Sequence, residues 1–155
     1  MEYVEDSRFY RKALQVINRP FGTFYLFESF VVGEIKEGVL FSWEHQAKEL
    51  VEYLSDLYDQ NGKGLVYISN RVHQYSINPS DWLKFYKEKY HLCGYAVVNY
   101  RNTNGVINSI FEKLFMRNKI QSFNSLENAV YWATELCELN KSKIEFTSAC
   151  GLISR

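Results

Sequence analysis

Apolar residues recur along this chain at two spacings, and the two alternate. Residues 21–27 (FGTFYLF) and 31–35 (VVGEI) are short runs rich in aromatic and β-branched side chains, as strands are. Only three residues separate them, so the pair predicts an antiparallel hairpin. Residues 13–18 (ALQVIN), punctuated by Pro20, read as an extended segment. Residues 65–69 (LVYIS) and 92–99 (LCGYAVVN) are continuous apolar runs of the kind buried on both faces of a sheet. Residues 120–123 read as a short edge strand.

Between these runs the period changes to that of a helix. Trp43, Ala47, Leu50, Val51, Leu54 and Leu57 fall at steps of three and four, with Glu44, Lys48, Glu49, Glu52 and Asp56 turned to water. Ser42 is a good N-cap, and Asn61-Gly62 supplies a left-handed stop. A second helix is predicted over 78–90, with Asn78 as cap, Pro79 at the first position and Asp81 at the positive end. Paired apolar residues from Val106 to Phe115 predict a third. A fourth follows Ser125, with Leu126, Ala129, Val130, Ala133 and Leu136 as its stripe. Helices that separate short buried strands after an opening hairpin predict an α/β fold. Its sheet should be mixed but mostly parallel, of four to five strands, with helices packed on it. Residues 1–12 are polar and read as a flexible N-terminal arm, 13–137 as the domain, and 138–155 as a tail without a placement.

Composition narrows the class. The chain has 155 residues, of which 46% are hydrophobic and 17% aromatic, enough for a core that needs no disulfide or structural metal. Lys and Arg number 18 and Asp and Glu number 18, so there is no global field of the kind that gathers nucleic acid or an anionic membrane. Acids dominate between Glu34 and Asp59, and bases between Lys84 and Lys119. These are solvated faces of opposite sign, or a docking surface for a charged partner or a second copy of the chain. Cys93, Cys137 and Cys150 are odd in number and widely spaced, as reduced thiols are. The first residues lack a signal-peptide pattern, and no run approaches the roughly 18 apolar residues of a membrane span. A cytoplasmic protein without membrane insertion is expected.

No catalytic signature appears. Asn61-Gly62-Lys63-Gly64 leads from a helix into a strand, the reverse of a phosphate loop. His91 and Cys93 would share a strand face, but zinc needs three or four such ligands, so no metal is expected. No nucleophile elbow or paired-carboxylate motif is present. The expectation is a protein that is not an enzyme and has no cofactor. A weak catalytic alternative rests on Arg71, His73 and Tyr75 lying close in sequence. The abundant aromatics read as core, although their surplus admits a second function, that of a carrier of a small apolar ligand or lipid.

The segment 69–80 (SNRVHQYSINPS) is the most suggestive. It leaves the carboxyl end of a predicted central strand and enters a predicted helix, the place where open α/β sheets bind ligands and partners. Asn70, Arg71, His73, Tyr75 and Ser76 are the candidate binding residues, and Ser76 and Ser80 the candidate phosphoacceptors. Arg71 beside a helix N-terminus suits an anionic group.

The hairpin FYLFESFVVGEIKEG, the capped helix SWEHQAKELVEYL, the strand-loop-helix LVYISNRVHQYSINPSDWLKFY and the strand CGYAVVNY together resemble the SpoIIAA-like (STAS) domains, and among them the stand-alone bacterial members. The resemblance covers roughly residues 20–137 in element order and loop style. It implies a β-α superhelix with a mixed sheet, and a regulatory role carried out by binding, as in partner-switching signalling. A related arrangement occurs in CRAL-TRIO lipid-transfer domains. The switching members carry a phosphorylated Ser beside an acidic-Ser-Ser-Gly turn at the start of the second helix. Here that region reads Ser76-Ile77-Asn78-Pro79-Ser80-Asp81, without the Gly and the paired Ser.

Overall fold

The structure, a computed structural model, describes residues 1–58, 64–77, 81, 92–100 and 120–153. The expected helix from Val106 to Phe115, that over 78–90 apart from Asp81, the Asn61-Gly62 stop, His91 and Ser80 lie outside the described residues. Strands β1 (Gln15–Arg19), β2 (Gly22–Leu26), β3 (Phe30–Ile35), β5 (Val66–Arg71), β7 (Gly94–Asn99) and β8 (Ile120–Phe123) form one mixed sheet in the order β1-β2-β3-β5-β7-β8. The first two pairings are antiparallel, and the pairings from β3 to β8 are parallel. Two short strands, β4 (Leu40–Phe41) and β6 (Ser76–Ile77), pair in parallel with each other apart from the main sheet. Helices α1 (Lys48–Tyr58) and α2 (Leu126–Ile153) complete the described elements.

The α/β class, the opening hairpin and the parallel pairing of the two buried runs follow the sequence pattern. The sheet is wider than four or five strands. The segment 13–18 supplies the extra strand: it folds back on β2 across Pro20 and Phe21 and pairs along its whole length, from Gln15 opposite Leu26 to Arg19 opposite Gly22. Gly22 permits the fold-back to seat, because a Cβ there would lie 2.7 Å from the Glu34 carbonyl.

The strands sort their side chains by period two. On one face Phe24, Leu26, Val31 and Ile35 pack with Leu50 and Leu54 of α1. Ser42 caps this helix, its hydroxyl accepting from the His45 N–H at 3.3 Å, and the first turn is a wide π turn, Trp43–Ala47, before regular α geometry begins. Trp43, Leu50 and Leu54 of the stripe read from the sequence are buried, whereas Leu57 is exposed and Tyr53 and Tyr58 pack against the cluster as well. On the other face Tyr25, Phe30, Val32, Val66, Ile68, Ala96 and Val98 meet Leu126, Ala129, Val130, Ala133 and Cys137 of α2. β5 and β7 are therefore buried on both sides, which explains their unbroken apolar runs.

Two boundaries differ from expectation. The first twelve residues are not a loose arm. They form two 3₁₀ turns, Val4–Asp6 and Tyr10–Lys12, and Val4 is completely buried in the α2-side core with Phe9 and Ala13 packed beside it. Their polarity is real, but Val4 faces inward while Glu5 and Asp6 face water. Likewise residues 138–153 are no separate tail, since α2 runs on through Ile153. No Gly or Pro interrupts the sequence between Leu126 and Cys150, so nothing there ends a helix.

Gly33, in the middle of β3, lets the face under α1 close. A Cβ there would overlap the Tyr67 hydroxyl and stand 2.8 Å from Tyr67 Cζ and 3.0 Å from Phe24 Cε1. Gly33→Ala is therefore expected to destabilise the chain by about 1–3 kcal/mol in urea denaturation, as overpacking does. Adding Tyr67→Phe should recover part of that loss by removing the overlapping oxygen. Simple additivity of the two losses would show that Tyr67 is not the residue the methyl meets.

Candidate functional site

The parallel strands β3, β5 and β7 end together, and their last residues carry the polar groups that the buried middle of the sheet cannot hold. Ser69, Asn70 and Arg71 close β5, Glu34 lies near the end of β3, and Tyr100 follows β7. In β5 the period of two sends Ser69 and Arg71 to the α1 side and Asn70 to the α2 side. Two distinct polar clusters result.

On the α1 side Ser69 Oγ and the Tyr75 hydroxyl are 2.7 Å apart, and Arg71 Nε donates to Ser69 Oγ at 3.4 Å. The Arg71 guanidinium lies over the Tyr75 ring, 5.3 Å from its centroid, in cation–π geometry. Arg71 and Tyr75 thus come together as the sequence suggested, with Ser69 as the group that joins them. The loop that follows is braced by the turn after β3. Glu37 accepts from the Gln74 N–H at 2.8 Å, Gly38 N–H donates to the Gln74 carbonyl at 2.8 Å, and Ser76 N–H donates to the Val39 carbonyl at 3.0 Å. Gly38 holds a left-handed φ of 74°, the backbone state this turn requires.

His73 belongs to the brace and not to the Arg71 cluster. Its Nδ1 is 3.6 Å from Glu37 and its Nε2 is 3.4 Å from the Tyr3 hydroxyl. Ser76 is exposed on β6, and Gln74 beside it is exposed too. The candidate residues therefore divide four ways: Arg71 with Tyr75, His73 with Glu37, Ser76 exposed on β6, and Asn70 on the opposite face of the sheet.

The α2-side cluster centres on Glu34, which sequence reading counted among surface acids. It is only 7% exposed. Its carboxyl accepts from Asn70 Nδ2 at 2.8 Å and from the Val4 N–H at 3.2 Å, and Tyr25 also hydrogen-bonds to it. Asn70 in turn donates to the Glu2 carbonyl at 2.9 Å and accepts from the Tyr100 hydroxyl at 2.8 Å. Tyr100 is also within 3.3 Å of the Glu2 carbonyl. The sequence did carry a signal for this. In FVVGEI, Glu34 is two and four residues from the inward-facing Val32 and Phe30, so the alternation that buries them buries it.

Burial raises the pKa of Glu34 above its ordinary 4.5, against the lowering effect of its hydrogen bonds from Val4, Asn70 and Tyr25, while Glu5 nearby raises it further. Burial also pushes the Tyr100 hydroxyl up to about 12 and raises that of Tyr25, the latter reinforced by the charge of Glu34. Both phenols stay neutral and able to donate at neutral pH.

Among the described residues no three His, Cys, Asp or Glu side chains group to hold a metal ion, and no helix is long and apolar enough to cross a membrane. Cys93 is half-buried, and Cys137 is buried with its thiol donating to the Ser29 carbonyl at 3.3 Å.

The sign of the Glu34 shift gives a pH test. The folded state holds the Glu34 proton to higher pH than the unfolded chain, so it binds more protons between the ordinary carboxyl value and the raised one. Stability must fall as pH rises through that window. In urea denaturation across a pH series, the unfolding free energy of the wild type should drop relative to Glu34→Gln over that interval and then run level. A difference independent of pH would contradict the assignment.

Comparison of the chain with protein-family models, with curated proteins and with solved structures finds no match.

Proposed function

We propose that the chain is a non-catalytic binding domain of SpoIIAA-like (STAS) type, which holds a protein partner on the α1 side of the carboxyl edge. The observation that carries this is the bracing of the loop 72–77. Glu37, Gly38 and Val39 fix its backbone at three points, and the β4–β6 pairing fixes its far end. An exposed polar loop held in one conformation loses little entropy when a partner docks, which is what a binding surface needs. Its position beyond the carboxyl ends of parallel strands is where open α/β sheets place recognition.

What supports the family assignment is an antiparallel opening followed by a run of parallel strands, with the polar loop after the second strand of that run. Arg71 and Tyr75, held together by cation–π geometry, form the inner wall of the surface, and Ser76 stands exposed at its outer edge. A phosphoryl group on Ser76 would add nearly two negative charges to a loop already braced by Glu37, and so alter partner recognition by charge alone.

The test is co-purification of the tagged full chain with its partners from the source cells, comparing wild type with Arg71→Ala and Ser76→Asp. Proteins retained by the wild type should be lost or reduced about tenfold with both variants, a loss of about 1.4 kcal/mol of binding. Equal retention by all three would remove the loop from partner binding.

A further inference from the structure

The second cluster, on the α2 side, is built to grip main chain. Every polar contact it makes to residues 2–4 is with a backbone atom: Asn70 and Tyr100 reach the Glu2 carbonyl, and Glu34 receives the Val4 N–H. The one side chain buried with these contacts is that of Val4, at 0% exposure among Phe30, Val32 and their neighbours. The gripping groups sit on or next to three adjacent strands and are tied to one another, Glu34 to Asn70 and Asn70 to Tyr100. Tyr25 gives Glu34 a donor from β2. The cradle is therefore held in place by the sheet, whatever occupies it.

Any chain without proline at the second position has a carbonyl and, two residues on, an amide N–H. The demand this site makes beyond that is a β-branched apolar side chain at the second position. From this we infer that Glu34, Asn70 and Tyr100 form a peptide-binding site, filled in this structure by the chain's own residues 2–4, which a partner's peptide segment of the same pattern occupies when those residues leave. The site lies on the face of the sheet opposite the Arg71 loop, and its existence does not depend on the function assigned to that loop. The rest of residues 1–12 is anchored outside the cradle: Phe9 packs against the α2-side core, Tyr10 meets Tyr25 edge to face, Arg8 pairs with Glu127 and Tyr131 on α2, and Tyr3 reaches His73. Within the cradle itself the grip on residues 2–4 is main-chain hydrogen bonds and the Val4 side chain, contacts that another segment of the same pattern can supply. Once Val4 has left, Glu34 keeps the donors from Asn70 and Tyr25, and water replaces the third.

The tethered segment competes with any peptide at high effective concentration, so the test breaks the tether in the folded full chain. A specific protease site is inserted between Ala13 and Leu14, the protein is folded, and then it is cut. The cut protein should take up a fluorescein-labelled synthetic peptide of residues 1–13, with an affinity at least about tenfold above that of the uncut chain. The same peptide carrying Val4→Asp should not bind, and Asn70→Ala in the cut protein should weaken uptake about tenfold. Equal binding of the Val4→Asp peptide, or no uptake by folded cut protein, would overturn the proposal. So would dimers of the uncut chain that exchange this segment, because the occupant would then be a second copy.

A measurement on the unaltered chain covers the case in which cutting unfolds it. In native-state hydrogen exchange the Val4 amide should open by a local event, at least tenfold more often than the amides of β5 and β7. A Val4 amide that exchanges only together with those strands would show a segment that does not leave the folded protein, and the site would be purely structural.

Discussion

β5 is held in parallel between β3 and β7, with Val32 opposite Ile68 on one side and Ile68 opposite Ala96 on the other. That register is what the remaining structure depends on. A strand covered on both faces has no place for polar side chains along most of its length, since an unpaired polar group in an apolar interior is costly. The chain keeps them to the last three residues, Ser69, Asn70 and Arg71, where the sheet meets solvent and neighbouring loops. A slip of one residue would exchange the faces of all three. Asn70 would lose Glu34 and Tyr100, and Arg71 would be driven toward the α2-side core. The hydrophobic pairing and the polar edge therefore specify the same register, and each penalises the alternatives the other leaves open.

Glu34 sharpens that specification. A carboxyl group removed from water is tolerable only with donors around it, and here they come from three separate parts of the chain: Tyr25 on β2, Asn70 on β5 and the main chain at Val4. Its raised pKa shows that the compensation is incomplete. A buried carboxyl of this kind adds little net stability, while its hydrogen bonds hold the segments that supply them in register. A leucine in its place would fill the same volume against Val4 without the burial penalty, but it would hold neither Asn70 nor the segment 2–4 in register.

Much of this was legible in the sequence. The aromatic and β-branched runs at 21–27 and 31–35, three residues apart, marked the hairpin, and the continuous apolar runs at 65–69 and 92–99 marked the buried parallel strands. Ser42 and Ser125 marked the helix starts through the cap chemistry itself. What was not legible follows from tertiary override. Residues 1–12 carry charges that face water, and Val4 and Phe9, five residues apart among them, give no periodicity, so nothing local says that the segment docks. Gln15–Arg19 pairs at the sheet edge with its outer residues exposed, which makes it weak by composition although strong by hydrogen bonding. Asn70 and Arg71 read as loop because polar residues after an apolar run usually are, yet the β5–β7 ladder continues through Asn99 and carries them as strand. Within the candidate site, the Arg71–Tyr75 proximity was visible in sequence spacing, whereas the Glu34–Asn70–Tyr100 cluster joins residues far apart in the chain.

The two faces of the carboxyl edge are not independent. Tyr3, one residue before Val4, reaches His73, and His73 reaches Glu37, which accepts from Gln74 in the exposed loop. The chain that fills the α2-side cradle is thus one contact away from the brace that shapes the α1-side surface. A coupling of this kind needs no long wire through the core, only two arrangements of a short segment that share a neighbour. If residues 2–4 leave, Tyr3 leaves His73, and one support of the His73–Glu37 pair goes with it. The Gln74 N–H bond to Glu37 and the Ser76 N–H bond to Val39 remain, so the loop would loosen at His73 and keep its outer end. A change of occupant in the cradle would then be felt first at the middle of the loop 72–77, where Val72 enters the core and Gln74 faces solvent, and least at Ser76.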